Sequence, residues 1–266
     1  MEHLKLMLFP DTPLHTLLAI RPMAMNWLEK WEINPYCLPS ARLEDLCRIS
    51  GLRWDELLQS LQTMEIPDRA SDWANRPLYH LIDFLTQEHR AFLQEFIPAI
   101  LSAFTAGDRH PDFLGPLHPL IVAWPGFSAS LIRHISEEES FLFPKILQQE
   151  YCLRHGGMAP DFSKGSVRVF AAVHLMREEQ KQLLPIQEFL EALRFFRTTG
   201  KTMEAAGAGV NRLLQAFHHR LMEHSRMERE ILFPLAGAME KQVYDRFIEG
   251  QPAGMGHVGR SSAILP

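Results

Sequence analysis

The chain has 266 residues, with 27 Lys or Arg against 32 Asp or Glu, a net charge of −5, and 46% hydrophobic and 22% charged residues. That length and balance fit a soluble globular protein of one large domain, or a large and a small one. They argue against a nucleic-acid binder, since no basic face dominates.

Three cysteines, Cys37, Cys47 and Cys152, form neither a metal-ligand cluster nor a disulfide framework, which suits a reducing cytoplasm. The opening stretch from Met1 to Pro10 is too short and broken to read as a signal peptide. The longest apolar run, Pro119 to Ile132, is interrupted by Pro125 and predicts no membrane span.

Thr12-Pro13 opens a first helical pattern, with Leu14, Leu17, Leu18, Met23, Trp27 and Leu28 as its apolar stripe. Asn34-Pro35 is a turn, Ala41 to Ile49 a second helix ended by Gly51, and Trp54 to Met64 a third with Leu57, Leu58 and Leu61 inward. These segments make a small helical domain over 1–66, followed by a polar linker at 67–77. From 78 to 249 the pattern is one of long helices: Pro77 to about Phe104, Leu131 to Leu147, Ser166 to Phe196, and Met203 to Phe233 with a short helix after Pro234. Residues 106–116 and 155–165 read as loops, and 250–266 as a disordered tail. Almost nothing alternates with period two, so the predicted class is all-α, a four-helix up-down bundle behind a small helical domain.

The chemistry lies in a repeated stretch. His134-Ile-Ser-Glu-Glu138 leads into Leu142-Phe143-Pro144, and His224-Ser-Arg-Met-Glu228 leads into Leu232-Phe233-Pro234. Residues four apart share a helix face, so each copy presents an imidazole beside a carboxylate, a ligand pair for a borderline or hard transition metal. A single such pair arises by chance and then faces solvent, as His174/Glu178 and His219/Glu223 illustrate. The same pair twice, in one register with Leu-Phe-Pro, is harder to dismiss.

His89 and His174 sit on the helices that alternate with the two pairs. His89 to His134 spans 45 residues and His174 to His224 spans 50, which fits antiparallel helices of ~25–30 residues joined by loops. Six candidate metal ligands (His89, His134, Glu138, His174, His224 and Glu228) then converge on one level of the core. Buried acids and imidazoles are costly unless paired or metal-bound. An N/O ligand set with open positions is typical of non-haem iron. His218 and His219 read as helix surface or outer support, and His110, His118, His155 and His257 as solvent residues.

The bundle resembles the hemerythrin-like His-His-Glu cation-binding domains, on the two His-x-x-x-Glu-x-x-x-Leu-Phe-Pro segments and His174. Residues ~10–240 resemble the repair-of-iron-centres di-iron family. In the N-terminal part the match rests on Pro22, Trp27-Leu28, Ile33, Tyr36-Cys37, Leu43-Glu44-Asp45-Leu46-Cys47, Gly51-Leu52 and Leu57-Leu58. The resemblance implies two iron ions, bridged by Glu138 and Glu228 and capped by histidines. It implies a role in restoring iron–sulfur clusters after nitrosative or oxidative stress, with damaged iron–sulfur proteins as partners.

Two positions depart from the family. The family's adjacent Cys-Cys and Gly-Gly are here Tyr36-Cys37-Leu38-Pro39, with one thiol. Counting from Leu81-Ile-Asp83, the family's histidine falls at Arg90, one residue and about 100° of helix from His89. These departures keep two other expectations in play: a hemerythrin-like protein that binds O2 or NO for storage, scavenging or sensing, and a metal-free interaction scaffold. A cytoplasmic protein is expected, with no nucleic-acid or membrane partner and a homodimer among the arrangements allowed.

Overall fold

A computed structural model describes residues 8–38, 40–64, 73, 76–107, 111–155 and 205–246. The predicted third long helix with His174, most of the linker at 67–77 and the tail at 250–266 lie outside the described residues. The regular structure described is helical, apart from one isolated bridge between Pro13 and Arg42.

The N-terminal apolar stripe folds as two short helices, α1 (Leu14–Ile20) and α2 (Ala24–Lys30), broken at Arg21-Pro22. All six predicted stripe residues are buried. Asn34 Oδ1 accepts from the Tyr36 N–H at 2.9 Å and fixes the 3-10 turn Pro35–Cys37. Helices α3 (Leu43–Ser50) and α4 (Trp54–Gln62) start alike: the acid at the third helical position, Asp45 or Glu56, accepts the backbone N–H of the residue before the helix, Arg42 or Arg53. Gly51, at φ +71°, ends α3 in the left-handed conformation that glycine adopts at least cost.

Three long rods follow, each made of two α-helices joined through a five-residue π-turn. The first is α5 (Leu78–Ala91), the turn Phe92–Phe96 and α6 (Ile97–Gly107). The second is α7 (Pro111–Glu137), the turn Glu138–Leu142 and α8 (Phe143–His155). The third is α9 (Ala205–Met227), the turn Glu228–Leu232 and α10 (Phe233–Tyr244). The second rod is longer than the sequence suggested: α7 begins at Pro111 and continues through Pro116, Pro119 and Pro125, so most of the expected loop is helix. At Pro144 and Pro234 the rods continue, as α8 and α10.

A proline stands six residues after the start of each of these three π-turns, at Pro98, Pro144 and Pro234. Proline cannot donate to the carbonyl four residues back, and its ring collides with that carbonyl in a regular α-helix. In each turn the N–H just before the proline reaches back five residues instead, from Ile97 to Phe92 O, Phe143 to Glu138 O and Phe233 to Glu228 O. The wider turn lets the rod continue past the ring.

Two apolar clusters result. One joins the N-terminal helices to α5, α8 and α10 through Leu17, Leu28, Leu46, Leu57, Leu81, Leu85, Ile146 and Ala236. The other lies between α6, α7 and α9, around Phe92, Phe104, Trp124, Phe127 and Phe217. The N-terminal helices are pinned by a buried ion pair, Arg21 Nη1 to Asp83 Oδ2 at 2.5 Å, with the Met23 N–H donating to the other oxygen at 3.1 Å. Glu150 of α8 caps α5 across the fold, accepting from the Leu78 and Tyr79 N–H groups at 2.5 and 3.2 Å.

Candidate metal centre

Between the two apolar clusters lies a polar layer. His89, Glu138, His224 and Glu228 are all buried, and one ligand atom from each lies within 4.8 Å of the others. His89 comes from the last turn of α5 and His224 from the last turn of α9, while Glu138 and Glu228 each open a π-turn. Such turns recur at functional sites.

The two His/Glu pairs meet as their spacing demands: His134 Nε2 is 3.4 Å from Glu138 Oε1, and His224 Nε2 is 2.7 Å from Glu228 Oε1. Across the bundle, His89 Nε2 lies 3.3 Å from Glu138 Oε2 and 3.1 Å from His224 Nε2. Five of the six predicted residues therefore share one level, and His174 lies outside the described residues.

Arg90 points the other way. It donates to the Ile20 carbonyl of α1 and to Gln87 Oε1, so His89 is the residue that enters the core. His219 is exposed, as expected for a position facing away.

The rings are held by packing. His89 stacks on Phe143 at 5.7 Å and 7°, and His224 meets the edge of Phe92 at 5.6 Å. The phenylalanine of the first Leu-Phe-Pro motif thus supports His89. Sequence reasoning missed two polar supports. Glu139 Oε1 lies 2.9 Å from His89 Nδ1, and Glu88 forms a two-pronged pair with Arg220 at 2.7 and 3.0 Å, tying α5 to α9 one turn from His224. Each joins residues far apart in the chain, so neither leaves a local signal.

Electrostatics divide the two central acids. Burial and the neighbouring charge of Glu228 push Glu138 up to about 8, against the pull of His134 and His224. Burial also works to raise Glu228, but His224, His134 and His89 outweigh it and hold the group at about 2. Together the acids keep a proton at neutral pH.

All four of their carboxylate oxygens are buried without a hydrogen bond of proper geometry, as is His224 Nδ1. Buried acceptors in that condition are expensive unless a cation meets them. Imidazole and carboxylate without thiolate suit iron, manganese or zinc rather than a soft metal. The donor set fits the metal expected from the sequence.

The chain belongs to the hemerythrin HHE cation-binding domain family, whose model matches residues 80–236 and so spans all of the described polar layer. Among its relatives is the iron-sulfur cluster repair protein YtfE of Edwardsiella ictaluri, 26% identical over 241 residues that cover 86% of this chain and 98% of that protein. The proteins of the same name from Enterobacter sp. strain 638 and Escherichia coli O81 are 25% and 26% identical over 236 residues, covering 88% of this chain and all of theirs. The likeness therefore includes the N-terminal helices as well as the rods. Among the described residues, no helix is long and apolar enough to cross a membrane.

Proposed function

We propose that the chain holds two iron ions between His89, His134, Glu138, His174, His224 and Glu228, and acts in repair of, or iron supply to, iron–sulfur centres under nitrosative or oxidative stress. The observation that carries this reading is the pair of buried glutamates, with four unsatisfied oxygens set among His89, His134 and His224. The names of the relatives supply the cluster-repair context. Iron there would contribute a change of oxidation state and positions open to a small diatomic ligand such as O2 or NO. The chain's part is to present carboxylate oxygens and imidazole nitrogens in a buried layer and to shed the Glu138 proton when a cation enters. We read residues 1–66 as a small N-terminal unit, 78–249 as the cation-binding bundle and the protein as cytoplasmic.

The test is metal content with the visible spectrum of the purified protein, followed by iron donation to an apo-ferredoxin. About two irons per chain are expected from the ligand count. Glu138→Ala or Glu228→Ala should leave at most one weakly held metal, whereas His219→Ala should leave the content unchanged. Iron lost from His219→Ala but kept in Glu228→Ala would overturn the ligand assignment.

A second reading, reversible binding of O2 or NO without repair, is favoured by the sequence Tyr36-Cys37-Leu38-Pro39, which lacks a second thiol for paired redox chemistry. Intact di-iron spectra with no transfer to the apo-ferredoxin would select it.

A further inference from the structure

Two consecutive glutamates face opposite nitrogens of one imidazole. Glu138 Oε2 lies 3.3 Å from His89 Nε2, and Glu139 Oε1 lies 2.9 Å from His89 Nδ1. Successive side chains of a regular α-helix diverge by about 100°; here both residues stand at the opening of a π-turn. The ring between them is fully buried and lies flat on Phe143.

A carboxylate only accepts, so a hydrogen bond at Nδ1 requires that nitrogen to carry the proton. The Nε2 lone pair is then left facing Glu138 and His224. Among the described residues nothing comparable supports His224, whose Nδ1 is buried without a hydrogen bond. At the position matching Glu139, the second copy of the motif has the exposed Arg229. Glu139 also lines a cavity of about 360 Å3 between α1 and α8, with His15, Leu18, Pro22 and Tyr36.

We propose that Glu139 is a positioning residue: it fixes His89 as the Nδ1–H tautomer and aims its Nε2 into the polar layer, so that the His89 side of the site is preorganised for a cation. This rests on reading the layer as a cation site.

Two measurements on the full chain test it. In the metal-free protein, long-range 15N–1H correlation should show the Nδ1–H tautomer at His89, giving way to mixed tautomers in Glu139→Ala. In anaerobic titration with Co(II), Glu139→Ala should bind about 10–100-fold more weakly than the native chain. Glu139→Gln keeps a neutral acceptor in nearly the same shape and should fall between the two. Glu230→Ala, which removes an exposed carboxylate from the matching π-turn, should bind like the native chain.

An Nε2–H tautomer in the native metal-free protein overturns the proposal, as does a Glu139→Ala affinity within twofold of native. A native chain that binds no cobalt would overturn the cation reading instead, leaving the tautomer to decide the role of Glu139.

Discussion

Glu138 is the residue on which the behaviour of the metal-free protein turns. Its carboxyl is raised from an ordinary 4.5 to about 8 by burial and by Glu228. Between those values the folded chain holds a proton that the unfolded chain has released. Stability contributed by this group is therefore complete below about 4.5 and lost as pH rises towards 8. The metal-free protein should melt at a lower temperature as pH rises through that window, and Glu138→Gln should flatten the slope. Bound cation should remove it too, because the proton is displaced. A melting temperature that rises with pH in the metal-free native chain, with no change on Glu138→Gln, would contradict this.

At the same scale, the meeting of His134 with Glu138 and of His224 with Glu228 was legible because each pair is local, four residues apart on one face. His89 was legible as the buried partner of those pairs, although Arg90 matched the family count; in the structure Arg90 reaches back to α1 and leaves the core to its neighbour. The partners of Glu139 and Arg220 lie 50 and 132 residues away, and no spacing rule reveals them.

The rods show how an element can be read correctly in kind and wrongly in extent. Leu-Phe-Pro reads as a place where a helix ends or bends, because proline in a helix interior costs about 3 kcal/mol. What the pattern could not display is that a π-turn relieves the collision and lets α8 and α10 continue. Phe96-Ile97-Pro98 is a third instance of the device and escaped notice because no His/Glu pair precedes it at the same spacing.

The turns also set the site, since Glu138 and Glu228 each open one. Pro234 is exposed and packs little, so Pro234→Ala should free that stretch to close into a regular α-helix. Melting temperature should stay level or rise, while cation affinity falls severalfold by titration. A variant that bound cation as well as the native chain would show that packing alone holds the turn.

Across the whole molecule, the N-terminal helices and the α8/α10 end of the rods share one core, which is why the segment at 8–64 folds onto the bundle rather than beside it. Amphipathic stripes foretold the buried leucines of that core but not the ion pair beneath it. Arg21→Met should leave Asp83 buried and unpaired and cost about 3–5 kcal/mol in urea unfolding, with cation content preserved in the fraction that stays folded. Asp83 is buried and its pKa is raised by desolvation, so a loss under 1 kcal/mol would mean that the carboxyl already carries a proton.

The division of the apolar interior by a polar layer has an optical consequence. Of the five tryptophans, Trp27 and Trp73 are buried in the core of the N-terminal end, Trp54 packs against that core, and Trp31 leans on Trp27. Trp124 is buried alone among phenylalanines in the other core. The difference in emission between the native chain and Trp124→Phe thus reports on one core, and the residual emission on the other. A cation held in the layer would bind only the folded rods and so stabilise the seam between the cores. With cation bound, the two signals should change together on heating. After chelation they should separate, at a lower temperature and with helical dichroism still present at room temperature. Coincident transitions in the chelated protein would mean that the layer is no seam at all.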